Sequence, residues 1–113
     1  MKVSLVAGMT VAALAVSLAV PRPTEANPRS LGHAFAERHC AACHAIDMAH
    51  ASPLAAAPPF RTLHEKYPVR YLEEALAEGI VTGHPAMPNV KLEPEMIDNL
   101  ITFIEALSSG GSR

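Results

Sequence analysis

Cys40-Ala41-Ala42-Cys43-His44 concentrates the reactive side chains of this chain within five residues. Two thiols three residues apart can each add across one vinyl group of a haem, and the adjacent imidazole then reaches the iron from one face. The same cysteine spacing also occurs in redox disulfides and as half of a zinc site. A disulfide site of that kind belongs beside a βαβ pattern, and no segment here alternates with period two for long enough to predict a strand. Zinc needs two further ligands, and without a second cysteine pair only His39 and His50 offer themselves. The motif points instead to one covalently attached haem c, its iron bonded to His44.

Such an iron needs either a second protein ligand or an open position, and that choice separates an electron carrier from an oxygen or peroxide chemist. Beyond the N-terminal apolar run the methionines are Met48, Met87 and Met96. Met48 is only four residues past His44, too near to reach the opposite face easily, and Met96 shares a helical stripe with Leu100, Phe103 and Leu107. Met87 lies in Gly83-His84-Pro85-Ala86-Met87-Pro88-Asn89, where two prolines stiffen the backbone and keep it out of a helix. The expected second axial ligand is therefore Met87, a soft thioether that favours ferrous iron, raises the reduction potential and suits reversible electron transfer. His84, on the same loop, is the rival and would give a bis-histidine haem of lower potential. His33, His39, His50 and His64 are expected to face solvent. No residue is assigned a catalytic role.

Pro58 is expected to touch the site indirectly. The loop before it can bring its carbonyl to the free ring nitrogen of His44, fixing the tautomer and raising the basicity of the ligand. The alternative is that Pro58 only stiffens the loop.

Helices must position these groups. Asn27 followed by Pro28 reads as a cap and first residue of a helix running to about His39, with Leu31, Ala34 and Phe35 on one apolar face. Gly32, Ala36 and Cys40 recur every four residues, a row of small side chains along which another helix can approach closely. Ala45 to Pro59 holds three prolines and no sustained period, so it reads as a loop around something. Pro68 opens a second helix carrying Val69, Leu72, Leu76 and Ile80, with Gly79 as its C-terminal cap. Thr82 to Leu92 is irregular again. The last helix runs from Pro94 to about Leu107, with Ile97, Leu100, Ile101, Ile104 and Leu107 in helical period. The expected fold is all-α.

The N-terminus reads as an export signal: Lys2, an apolar run from Val3 to Val20, then a polar stretch ending in Ala26. Cleavage after Ala26 is favoured over Ala19, and an uncleaved membrane anchor is the alternative, the run being near the shortest that spans a bilayer. The expected organisation is a signal over 1–26, one domain over 27–108 and a flexible tail over 109–113. Residues 27–113 hold seven basic and ten acidic side chains, a formal charge of −3, with no basic patch suited to nucleic acid. A chain so short buries an apolar core of marginal size, and a macrocycle would supply the missing volume.

In these features the chain resembles a bacterial class I cytochrome c. The attachment motif, Ala57-Pro58-Pro59-Phe60, Met87-Pro88 and the final helix occur in family order, over residues 28 to 107. The segment Leu72 to Ile80 with Thr82-Gly83-His84-Pro85 is similar to short periplasmic cytochromes. The resemblance implies three to four helices wrapped around one haem, the first and last crossing at Gly32 against Leu100 and Phe103. It departs from the family at Ala36, where an aromatic is usual and Phe35 stands one position earlier. A periplasmic one-electron shuttle between redox proteins is implied, the candidates being a dehydrogenase, a cytochrome complex or a terminal oxidase. Permanent attachment to one such enzyme is a second reading, and a haem sensor or peroxidase with labile Met87 a third.

Overall fold

The computed structural model describes residues 1–5, 8–22, 26–79 and 86–110. Among them are three α-helices, α1 (Pro28–His39), α2 (Leu72–Glu78) and α3 (Pro94–Ser108), two short 3-10 turns, Phe60–Glu65 and Val69–Tyr71, and no strand. The fold class is all-α.

Local chemistry sets where α1 begins. Asn27 is extended (φ −78°, ψ 160°) and its side-chain Oδ1 accepts the Ser30 N–H at 2.9 Å, while the Ser30 hydroxyl donates back to the Asn27 carbonyl at 2.9 Å. A cap of this kind stabilises a helix by about 1 kcal/mol. Pro28 at the first turn loses nothing, because its missing N–H would have had no helical partner. Arg38 and His39 in the last turn suit the negative end of the helix dipole. Pro94 likewise stands in the first turn of α3, with Glu95 beside it, though no side chain caps that helix.

The two long helices meet at Gly32. A Cβ there would lie 2.6 Å from the carbonyl carbon of Asn99, closer still to its oxygen, and 2.9 Å from Cβ of Phe103. Backbone thus packs directly on backbone, which only glycine permits. Gly32 and Ala36 are buried, and Cys40 packs partly buried on the same cluster, so the small-residue row is the face turned to α3. Leu31 was expected on the buried face. It is 37% exposed, because a neighbour about 100° around the helix from Gly32 is turned outward once Gly32 is pressed against Asn99. The tightest crossing contacts at Gly32 are with the Asn99 backbone and with Phe103, the latter as expected.

From α3, Ile97, Leu100, Ile101, Phe103, Ile104 and Leu107 form the spine of the core. The loop side adds Phe60 and Leu63, one 3-10 turn apart, then Val69 and Leu76. The turn at Phe60–Glu65 was not anticipated, and the second helix starts later than expected, Val69–Tyr71 being 3-10 and the α-helix proper beginning at Leu72. Ile80 lies outside the described residues. Arg70 fastens this region to α3: it bonds Glu105 with both Nε (3.0 Å) and Nη2 (3.3 Å), and Glu73 and Asp98 through Nη1 at 2.9 and 3.3 Å. These side chains are about half exposed, so solvent screens the pairs and each contributes little alone.

The described residues of the N-terminal segment, 1–5 and 8–22, are exposed and carry no helix. Among the described residues no helix is long and apolar enough to cross a membrane.

Candidate functional site

Cys40 closes α1, and the chain makes one further tight turn: the Cys43 and His44 N–H groups both donate to the Cys40 carbonyl, at 3.1 and 2.9 Å. The two cysteines are not bonded to each other, and both are partly buried. Burial pushes the Cys40 thiol up to about 11, so it is neutral at physiological pH. A disulfide-exchanging cysteine needs the opposite, a thiol pulled down toward neutrality by a positive neighbour or helix N-terminus. Cys40 sits at a helix C-terminus, where the dipole disfavours a thiolate.

The ring of His44 packs against Phe60, centroids 5.0 Å apart, and its Nδ1 lies 2.7 Å from the Pro58 carbonyl oxygen. A carbonyl can only accept, so Nδ1 carries the proton and Nε2 of the neutral ring keeps its lone pair free. That is the arrangement a metal-binding imidazole requires. His44 and Pro58 are thus brought together.

The intervening loop is fastened along its length. The Leu54 N–H donates to the Cys43 carbonyl at 3.1 Å, the Ala45 N–H to the Ser52 hydroxyl at 3.0 Å, and the Phe60 N–H to the Ala45 carbonyl at 3.0 Å. Arg61 reaches back to the carbonyls of His50 (2.7 Å) and Asp47 (3.2 Å). The supporting roles of Ser52 and Arg61 went unpredicted. Asp47 followed three residues later by His50 was the available cue, since Asp side chains commonly close such turns.

In that turn Asp47 Oδ1 accepts the N–H groups of Ala49 (2.9 Å) and His50 (2.8 Å), and Oδ2 lies 2.6 Å from Nδ1 of His50. The His50 N–H, then that of Ala49 and the His50 ring, hold the Asp47 carboxyl down at about 2. Because its folded value is below the ordinary aspartate value of about 3.9, the contribution of Asp47 to stability is present above pH ~4 and lost as pH falls toward 2. Carbon-detected NMR titration is expected to place Asp47 near 2, and Asp47→Ala to flatten the pH dependence of stability in that window. A midpoint near 4 would show that the turn is not held.

Met87 stands outside this hydrogen-bonded group. It is half-buried on the chain that returns to α3 between exposed Ala86 and Pro88. His84 lies outside the described residues, as do Gly83 and Pro85. His33, His39, His50 and His64 are exposed. Among the described residues, which include His39 and His50, no three or more His, Cys, Asp or Glu side chains gather to hold a metal ion. Met96 is half-buried on α3.

Two cysteines flanking one tight turn and not bonded to each other, with an imidazole whose Nδ1 is engaged and Nε2 available, fit a haem joined by thioether bonds. The cytochrome c family profile matches residues 30–108, from the first turn of α1 to the last residue of α3. No curated protein and no solved structure matches the chain. Members of that family generally transfer electrons to and from redox partners rather than turn over substrates. The chain belongs to the cytochrome c family: it is a haem-binding electron carrier whose haem c, with its iron, is attached covalently.

Proposed function

We propose that the protein is a bacterial class I monohaem cytochrome of the periplasm, its haem bonded to Cys40 and Cys43 and its iron ligated by His44 and Met87. When bound, the haem supplies a reversible one-electron couple. The polypeptide's task is to hold ligands still while the charge at the centre changes. Cys40 and Cys43, on one turn, anchor the two sides. Pro58 keeps the His44 proton on Nδ1 and makes Nε2 a better donor. Met87 offers a soft sulfur beside a proline that restricts its backbone.

The His44–Pro58 hydrogen bond carries this reading: a half-buried imidazole serving only as packing has no need of a fixed tautomer. The test is the optical spectrum of the ferric and ferrous protein, wild type against Met87→Ala. Weak far-red absorption in the ferric wild type, lost in the variant, is the expected result. A wild type without it overturns Met87 ligation in favour of His84 or an open iron.

Export follows from the apolar run Val3–Val20, which lies wholly outside the matched residues 30–108. Residues 1–26 act as a cleaved signal, 27–108 form the haem domain and 109–113 a tail. Intact mass of the exported protein is expected to begin at Asn27; retention of Lys2 in a membrane-bound form would establish an anchor instead. The partners are redox proteins, a dehydrogenase, cytochrome complex or terminal oxidase, met transiently. Stoichiometric co-purification with one of them would make the chain its subunit.

A further inference from the structure

Gly79 ends α2 with φ +100°, a backbone conformation that other L-residues rarely adopt, and its N–H donates to the Ala75 carbonyl at 2.8 Å. It is buried, and the side chain of Asn89 lies over it. A Cβ built on Gly79 would collide with Oδ1 of Asn89, with Cγ at 3.2 Å and Nδ2 at 3.3 Å next in line. Just beyond, the Leu92 N–H donates to the Leu76 carbonyl at 2.8 Å, and Val90 and Leu92 pack partly buried against the core. The chain therefore departs at Gly79 and comes back at Asn89 to one spot on the end of α2. Met87 is two residues from that point of return.

We propose that Gly79 and Asn89 are positioning residues for the Met87 ligand: their contact fixes the returning arm of the loop, and so holds the thioether within reach of the iron. The inference rests on Met87 ligation as proposed above. Gly79 is required there on two separate grounds, its backbone angle and the space that Asn89 occupies. Leu76 and Leu92 supply the backbone hydrogen bond that continues the same attachment. A ligand on a loop whose ends are fixed meets its target at a high effective concentration, and releasing one end lowers it. A competing ligand then gains in proportion to the fraction of molecules in which Met87 is displaced.

The test is imidazole titration of the ferric holoprotein, followed by the far-red band and by the shift of the main haem absorption, for wild type, Asn89→Ala, Gly79→Ala and Met87→Ala. Asn89 is exposed and its truncation strains no backbone, so that variant folds even if Gly79→Ala does not. Asn89→Ala is expected to bind imidazole about tenfold more tightly than wild type, with a weakened far-red band and unchanged helical circular dichroism. A merely structural contact would alter melting and leave imidazole affinity alone. Affinity within twofold of wild type in Asn89→Ala overturns the positioning role while Met87 ligation survives. A wild type with no far-red band, or a Met87→Ala protein with unaltered imidazole affinity, overturns both.

Discussion

Gly32→Val is expected to force α1 away from α3 and remove most of the protein's stability. Even the first carbon of the new side chain would sit 2.6 Å from the carbonyl carbon of Asn99, and a helix backbone cannot swing aside as a flexible side chain can. Gly32→Ala gives the sign. Alanine gains about 1 kcal/mol of helix propensity over glycine, whereas overpacking a close contact costs roughly 1–3 kcal/mol and sometimes more. Because the obstructing atoms are the rigid backbone of Asn99, the cost falls at the upper end of that range, and the alanine variant is expected to lose about 2 kcal/mol net, shifting a urea midpoint by about 0.7–2 M for slopes typical of small domains. Valine, β-branched and larger, should exceed that loss. An alanine variant as stable as wild type would show that the helices do not touch at Gly32.

The second large effect is expected from Cys40→Ala with Cys43→Ala. Of the larger side chains among the described residues, only Ile101 and Ile104 are fully enclosed by the polypeptide, and a chain of this length buries a core of marginal size. Without covalent haem the protein is expected to lose cooperative unfolding and to retain helical circular dichroism without fixed packing, a deficit on the order of 5 kcal/mol, comparable to the stability of a small domain. Sharp melting of the double variant at the wild-type temperature would show that the polypeptide needs no prosthetic group to fold.

Parts of this architecture are written locally and parts are not. The start of α1 is readable because Asn27, Pro28 and Ser30 satisfy the helix end among themselves. The course of α3 is readable because Ile97, Leu100, Ile101, Ile104 and Leu107 keep the helical period, and all five are buried. The 3-10 turn at Phe60–Glu65 escapes, since two apolar residues three apart, Phe60 and Leu63, are too short a pattern to separate from a loop. Leu31 misleads for another reason: its exposure follows from how closely Gly32 approaches Asn99, a relation between residues distant in the chain. At the site, Cys40, Cys43 and His44 announce themselves by spacing. Ser52, Arg61 and Asn89 act through atoms that only the folded chain brings near, and their residue types occur in any loop.

The contact at Gly32 also orders events in time. Its two sides belong to the first helix and the last, with all of residues 40–93 between them. Such a pairing must wait for a long loop to close. A ribosome that has released α1 and both 3-10 turns still holds back the surface on which α1 must rest, so vectorial synthesis cannot yield a partly finished native core. The Gly32 contact cannot close until Leu107 has emerged, and because the core gains fixed packing only with the haem, the cysteines stay accessible to attachment chemistry beyond that moment.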